Sequence, residues 1–536
     1  MTDVIAYTKY GKVLGDYFDG VYRFLGIRYA KAPVGELRFQ PPQPPDVSPV
    51  IMEAKKYAFK CYQTDTPRIE VPEVANSKYN LINQKLVTGN MEMGKGPQSE
   101  DCLALNIWTP DLTEGMNLPV MVWCHGGGNV AGTAECPHQD GFNMAKKNNV
   151  VMVSFSHRLN LFGYMDLKYT GVEKYKNTVN IGNLDMVAVL QWVHDNIQWF
   201  GGDPNNVTIF GESGGGGKVC QLLGMPAAKG LFHKAIVQSG GFHTVDPQEN
   251  IDDTNAFLAE LGITVENMDL LETIPPEDLI KAMRAVNARR ENGNYLNFPV
   301  VLDGEVIKYN PFDGAEGSEY CKDIPLIICY TKHDMALLAL FNPEVFELTD
   351  ETLPEKLRSC GYTQEQTERI IKTYSEMLDN PTAADIFIAL MNDTEQLKFV
   401  DDVSKCKDGK GGANFYNCVF AFESPDPVQK AIHGTDVPFF FDNAYLAPCL
   451  YTAANKSAAF SVSDTCGSSW AAFARTGDPT GRSMPKWKPY DQKDRYTMIF
   501  KAESELVSDY HKAGREIVSE LKGDLPGIGR KFKEKE

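Results

Sequence analysis

The sequence predicts an α/β fold: a large central, mostly parallel sheet with helices on both faces, N-terminal antiparallel strands and helical insertions. Three observations carry this. Nearly continuous apolar runs at residues 118–123, 150–155, 207–210, 235–238 and 324–330 suit strands covered on both faces. Helical periodicity lies between the runs, and alternation of strand and helix implies right-handed crossovers into one sheet. A chain of 536 residues, 43% hydrophobic and 23% charged, has what a globular protein needs to bury a sizeable core.

Taken in order, the β-rich run at residues 21–29 marks the antiparallel edge, and the proline-rich stretch at 41–49 closes it. The clearest helix precedes the third apolar run. Met186, Val189, Val193, Ile197 and Phe200 recur at spacings of three and four and make one face. Gly201-Gly202 supplies its left-handed stop and Pro204 forbids continuation. Two stretches rich in charge and helical pattern, about 246–297 and 343–402, read as insertions over one end of the sheet. No linker or internal repeat separates them, so residues 1–536 read as a single domain.

With 53 basic and 71 acidic residues the formal charge is −18, a field that repels phosphate backbones and excludes nucleic acid as a partner. No apolar run approaches the roughly 18 residues of a membrane span. The start, Met1 to Lys9, lacks a basic segment followed by an apolar one, and a cytoplasmic protein is expected, or a secreted one if a leader has been removed. The 12 cysteines contain no C-x-x-C pair, so neither a metal site nor any cofactor is expected. Oligomeric state leaves no mark on the sequence.

The segment with chemical content is Val207-Thr208-Ile209-Phe210-Gly211-Glu212-Ser213-Gly214-Gly215, a β-branched strand running into G-x-S-x-G and then a helical stretch. A sharp strand-to-helix turn holds such a serine strained and exposed at the sheet edge, with glycines where side chains would clash. The pattern resembles the nucleophile elbow of an α/β-hydrolase fold, which is the fold expected. A phosphate loop is excluded, because Lys218 is followed by Val219 rather than Ser or Thr. The run 118–124 ends in His125-Gly126-Gly127-Gly128, a loop type that offers backbone N–H groups to a developing oxyanion. The expected donors are Gly127, Gly128 and Gly214; His125 is expected to make a structural hydrogen bond beneath the turn.

At this point the chain resembles the type-B carboxylesterase and cholinesterase family. Phe200-Gly201-Gly202-Asp203-Pro204 with the elbow matches one signature, and Ser99-Glu100-Asp101-Cys102-Leu103 a second. Further matches are Leu37-Arg38-Phe39-Gln40-Pro41-Pro42, Gln238-Ser239-Gly240 and Trp470 to Pro479. The resemblance implies a serine carboxylesterase acting on a small-molecule ester through an acyl-enzyme. Ser213 is then the nucleophile, His433 of the H-G-x-[DE]-[LIV]-P segment the base and Asp334 the acid, with Glu212 and Ser239 supporting them. At Asp334 the family's D-E-G reads His333-Asp334-Met335, which leaves the local backbone in question, and Asp436 is the rival carboxylate. Amide, carbamate or lactone cleavage stays open as an alternative, and a non-catalytic binding protein on the same fold is the remaining one.

Departures from the family bear on substrate. Cys61 and Cys102 match its first paired cysteines, but no tryptophan lies between them, so the cation–π platform for choline is missing. A disulfide between the two is favoured by position and disfavoured by a reducing cytoplasm; both alternatives stay open. Asn129 replaces an aromatic residue, and Ser156-His157-Arg158 stands for N-Y-R, which predicts a polar rim beside the glycine loop.

Overall fold

The computed structural model describes residues 1–63, 96–290, 296, 298–337, 343–407, 412–427 and 429–521. Residues 64–95, between Tyr62 and Gln98, lie outside the described residues. The strands are β1 (Thr2–Thr8), β2 (Gly11–Phe18), β3 (Val21–Arg28), β4 (Met52–Glu53), β5 (Ala104–Thr109), β6 (Leu118–Cys124), β7 (Val151–Phe155), β8 (Gly202–Glu212), β9 (Lys234–Gln238), β10 (Leu326–Thr331), β11 (Phe415–Phe420), β12 (Thr497–Phe500) and β13 (Glu505–Val507). They form one sheet in the order β1-β2-β3-β5-β7-β6-β8-β9-β10-β11-β12-β13, with β4 beside β2.

From β7 to β12 every neighbouring pair is parallel. Towards the N-terminal edge the pairs β1–β2, β2–β3, β3–β5 and β5–β7 are antiparallel. Alternation along β6 shows why those strands read as unbroken apolar runs. Val120 and Val122 enter one core while Met121 and Trp123 enter the other, because successive side chains point to opposite faces and both faces are covered.

The helix before β8 runs Ile181–Asn196 and continues as a tighter turn, Ile197–Phe200. Gly201 ends it at φ 76°, its N–H donating to the Gln198 carbonyl. Pro204 falls inside β8 near its start, beside a register irregularity with β6, where a missing N–H is tolerated. In the first inserted stretch lie helices Pro247–Glu260 and Pro276–Asn287, which pack on the main core. The second contains Leu353–Ser359, Gln364–Met377, Ala383–Asn392 and Lys398–Lys407, with a π-helical turn, Asp393–Leu397, between the last two. The first three of these helices build a separate small core that includes Met335, Ile370, Phe387 and Ile432. Among the described residues no helix is long and apolar enough to cross a membrane.

Candidate active site

Five adjacent strands, β6, β8, β9, β10 and β11, deliver their following segments to one edge of the sheet, the carboxyl edge where ligands of open α/β sheets bind. β8 ends at Glu212 and helix Gly214–Leu223 begins at once, with Ser213 between them at φ 60°, ψ −125°. That conformation is costly for a residue with a Cβ and persists only because the surroundings impose it. The Ser213 N–H donates to the Gln238 carbonyl of β9, 2.9 Å. The helix starts hard against the loop after β6. A Cβ on Gly214 would fall 2.2 Å from the Gly128 nitrogen, and one on Gly215 2.0 Å from the Cys124 carbonyl oxygen, so only glycine permits this approach.

Gly127 and Gly128 themselves stand at φ 87° and 61°. Among the described residues the N–H groups of Gly127, Gly128 and Gly214 donate to no other residue. His125 is buried and its Nδ1 lies 2.8 Å from the Gly126 carbonyl oxygen, a bond within the loop.

Asp334 and His433 lie 99 positions apart and meet because the residues before them pair: His333 and Ile432 form a parallel β-bridge, and the His333 N–H donates to the Ala431 carbonyl, 3.0 Å. His433 Nδ1 is then 2.8 Å from Asp334 Oδ1. The other carboxylate oxygen accepts from the Ser239 hydroxyl, from the Thr331 N–H at 3.1 Å and from the Thr331 hydroxyl at 3.2 Å. Burial pushes the Asp334 carboxyl upward, but His433, Ser239 and the Thr331 N–H outweigh it and hold it below the usual carboxylate range. Met335 strains nothing: its N–H donates to Asn392 Oδ1 at 2.7 Å and its side chain enters the small helical core. The rival Asp436 accepts instead from Gln238 Nε2 at 2.8 Å; burial pushes it up to about 6.

On the other side of the ring, His433 Nε2 lies 3.1 Å from Glu212 Oε1. No hydrogen bond joins Nε2 to Ser213 Oγ, and both Nε2 and Glu212 Oε1 lack a well-aligned partner. Burial pushes the Glu212 carboxyl up to about 8, against the pull of His433. Burial alone would lower His433; the Glu212 and Asp334 carboxylates outweigh it and push the imidazole up to about 10.

Ser213 opens onto a cavity of about 520 Å³ shared by Gly128, Asn129, Ser239, Gln396 and Phe399. Gln396 was not anticipated from the sequence: it sits in the π-helical turn, and its Nε2 approaches Asp334 Oδ1 at 3.4 Å. A Gln in a charged helical stretch gives no signal; the register change that aims it does not show in a helical periodicity. Asn129 stands at the cavity wall as expected, its Oδ1 without a partner. Cys61 and Cys102 are buried free thiols, and the neighbouring Cys61, with burial, holds the Cys102 thiol well above its usual range. Among the described residues no group of three or more His, Cys, Asp or Glu could hold a metal ion.

A strained serine on a strand-to-helix turn, at the carboxyl edge of this sheet, defines an α/β-hydrolase. The chain matches the Carboxylesterase family over residues 2–516. It is 34% identical to the para-nitrobenzyl esterase of Bacillus subtilis, over 98% of this chain and all of that protein. It is 32% identical to liver carboxylesterase 1F of Rattus norvegicus, over 92% of this chain and 89% of the relative. The crystal structure of a Geobacillus stearothermophilus carboxylesterase superposes with a TM-score of 0.79 at 30% identity, covering 96% of this chain and 99% of the other. The chain therefore belongs to the carboxylesterase family, and it is a carboxylic-ester hydrolase.

Proposed function

We propose that Ser213 is the nucleophile, His433 the general base and Asp334 the orienting acid of a two-step ester hydrolysis. The observation that carries this is the buried 2.8 Å contact between His433 Nδ1 and Asp334 Oδ1 beside the strained turn that holds Ser213. Asp334 keeps the proton on Nδ1 and favours the imidazolium that forms during attack. Nε2 takes the Ser213 proton as Oγ bonds to the ester carbon, and the carbonyl electrons move to oxygen, where Gly127, Gly128 and Gly214 donate to the charge. Collapse expels the alcohol, which receives the proton from Nε2. Water, activated by the same nitrogen, then releases the acid and regenerates Ser213.

In the free enzyme Nε2 faces Glu212, so attack requires the ring to turn toward Ser213, a tightening that catalytic hydrogen bonds commonly undergo on binding substrate. The Glu212–His433 pair holds a proton near neutrality, and its loss on the alkaline side frees the base. Asn129 and Gln396 make the wall beside Ser213 polar, which suits esters with hydrogen-bonding substituents near the reacting carbonyl. The unbonded Cys61–Cys102 thiols suit a reducing, cytoplasmic setting, and the continuous sheet suits residues 1–536 acting as one domain.

The test is a panel of p-nitrophenyl esters of graded acyl length on wild type and Ser213→Ala. The variant is expected to retain its fold and lose turnover on every ester; turnover close to that of wild type on any of them would remove Ser213 from the mechanism.

A further inference from the structure

Behind the glycine loop lies a group of buried cationic and imidazole side chains that the mechanism does not use. Lys218 stands four residues after Gly214 on helix Gly214–Leu223, hence on the same face, the one pressed against the loop at Gly128. Its side chain has no exposed surface, and Nζ donates to the His125 carbonyl at 2.8 Å. Among the described residues no carboxylate pairs with it. Its other neighbours are the Cys124 thiol and the imidazoles of His125 and His157. These rings stack at 5.1 Å with 26° between their planes. Burial first, and Lys218 second, hold both imidazoles far below their usual range, so neither competes with the lysine for charge.

Burial pushes the Lys218 amine down to about 7, because a buried ammonium without a counter-ion is expensive to keep; near neutrality it holds its proton only in part and gains it as negative charge forms beside it. An apolar residue of similar length would fill the space without that penalty. What the position offers is an amine held on the carbonyl of His125, the residue that leads into Gly126-Gly127-Gly128, and outside the lining of the cavity. The negative charge that arises during turnover is the one on the former carbonyl oxygen after Ser213 attacks. Interactions present only with that charge accelerate the chemical step without tightening substrate binding.

We propose that Lys218 is a positioning residue for the oxyanion loop, tying the His125 carbonyl to the nucleophile's helix, and that its buried charge is compensated when the tetrahedral oxyanion forms. The proposal rests on the assignment of Ser213 and the glycine loop made above. It explains why a lysine stands fully buried between Gly217 and Val219 in this helix.

The test compares Lys218→Met with wild type, using p-nitrophenyl butyrate and an aryl trifluoromethyl ketone, an inhibitor that adds the serine to give a stable oxyanion. Lys218→Met is expected to lower kcat about tenfold to hundredfold with KM changed less than about twofold, and to weaken the ketone by the same factor as kcat. Its thermal midpoint is expected to be no lower than that of wild type, since an apolar isostere replaces an unpaired buried charge. Should the methionine variant not fold, Lys218→Gln, which is uncharged, is read in the same way. Unchanged kcat and ketone affinity would overturn the proposal, as would a lower midpoint with the ketone affinity intact, because that describes a packing role alone. Ser213→Ala is run alongside: if it stays active the underlying assignment fails, whereas a dead Ser213→Ala with an undiminished Lys218→Met removes only the lysine's part.

Discussion

Replacing Glu212 by glutamine removes a carboxylate whose Oε1 lies 3.1 Å from His433 Nε2 while keeping the side chain's shape. At an effective dielectric constant of about 20, a full charge pair at that separation is worth about 5 kcal/mol, or about 4 pH units of imidazole basicity. Burial pushes Glu212 itself up to about 8, so near neutrality it carries only part of its charge. Even a quarter of the full interaction amounts to about one pH unit. The sign follows from charge: a negative neighbour favours the imidazolium, so its removal makes His433 less basic. The acid limb of kcat/KM, which reports the base in the free enzyme, therefore moves to lower pH by about one unit or more. The assay is kcat/KM for p-nitrophenyl butyrate between about pH 6 and about pH 11 on both proteins, with the spontaneous hydrolysis subtracted. A midpoint that stays in place or moves upward would refute the electrostatic link between Glu212 and His433.

Asp334→Asn keeps the shape beside Nδ1 but removes the charge that fixes the tautomer, so kcat is expected to fall by about 10³–10⁴ with KM little changed; steady-state kinetics showing a loss under about tenfold would make Asp334 a bystander. Gly214→Ala places a Cβ 2.2 Å from the Gly128 nitrogen, and the loop must give way; kcat is expected to drop by about 10²–10³, while a variant as active as wild type would show that the loop's approach is not needed. Asp185→Ala strands Arg158, whose Nε and Nη2 donate to that carboxylate at 2.8 and 2.6 Å in a fully buried pair. The expected loss in urea denaturation is about 3–5 kcal/mol, and an unaltered midpoint would contradict it.

The parts of the fold legible in the sequence were those where local chemistry and tertiary structure agree. The runs that became β6 to β10 are apolar on both faces, and the stop at Gly201 needs only a left-handed turn. Ser213, the glycines before Asn129 and His433 sat in motifs whose residue types have few alternative uses together. β5 escaped because Asn106 and Thr109 break up its apolar residues, and nothing local reveals that it pairs antiparallel with β7. β12 follows a long irregular stretch after the helix that ends at Thr476. At the site, the meeting of Asp334 with His433 depends on the bridge between His333 and Ile432, a contact across nearly a hundred residues that no motif encodes. Gln396 reaches Asp334 only through a π-helical turn. Lys218 looked like part of a failed phosphate loop; its burial against His125 follows from the clash-free glycines that let the helix press on the loop.

The central claim is that one hydroxyl, on Ser213, carries the acyl group. Titrating the protein with diethyl p-nitrophenyl phosphate and mapping the adduct by peptide mass spectrometry tests it most directly. The account predicts that esterase activity falls in proportion to labelling, that one p-nitrophenol is released for each active site lost, and that the diethyl phosphoryl mass resides on Ser213. An adduct on another residue, or ester hydrolysis that persists in fully labelled protein, would contradict it.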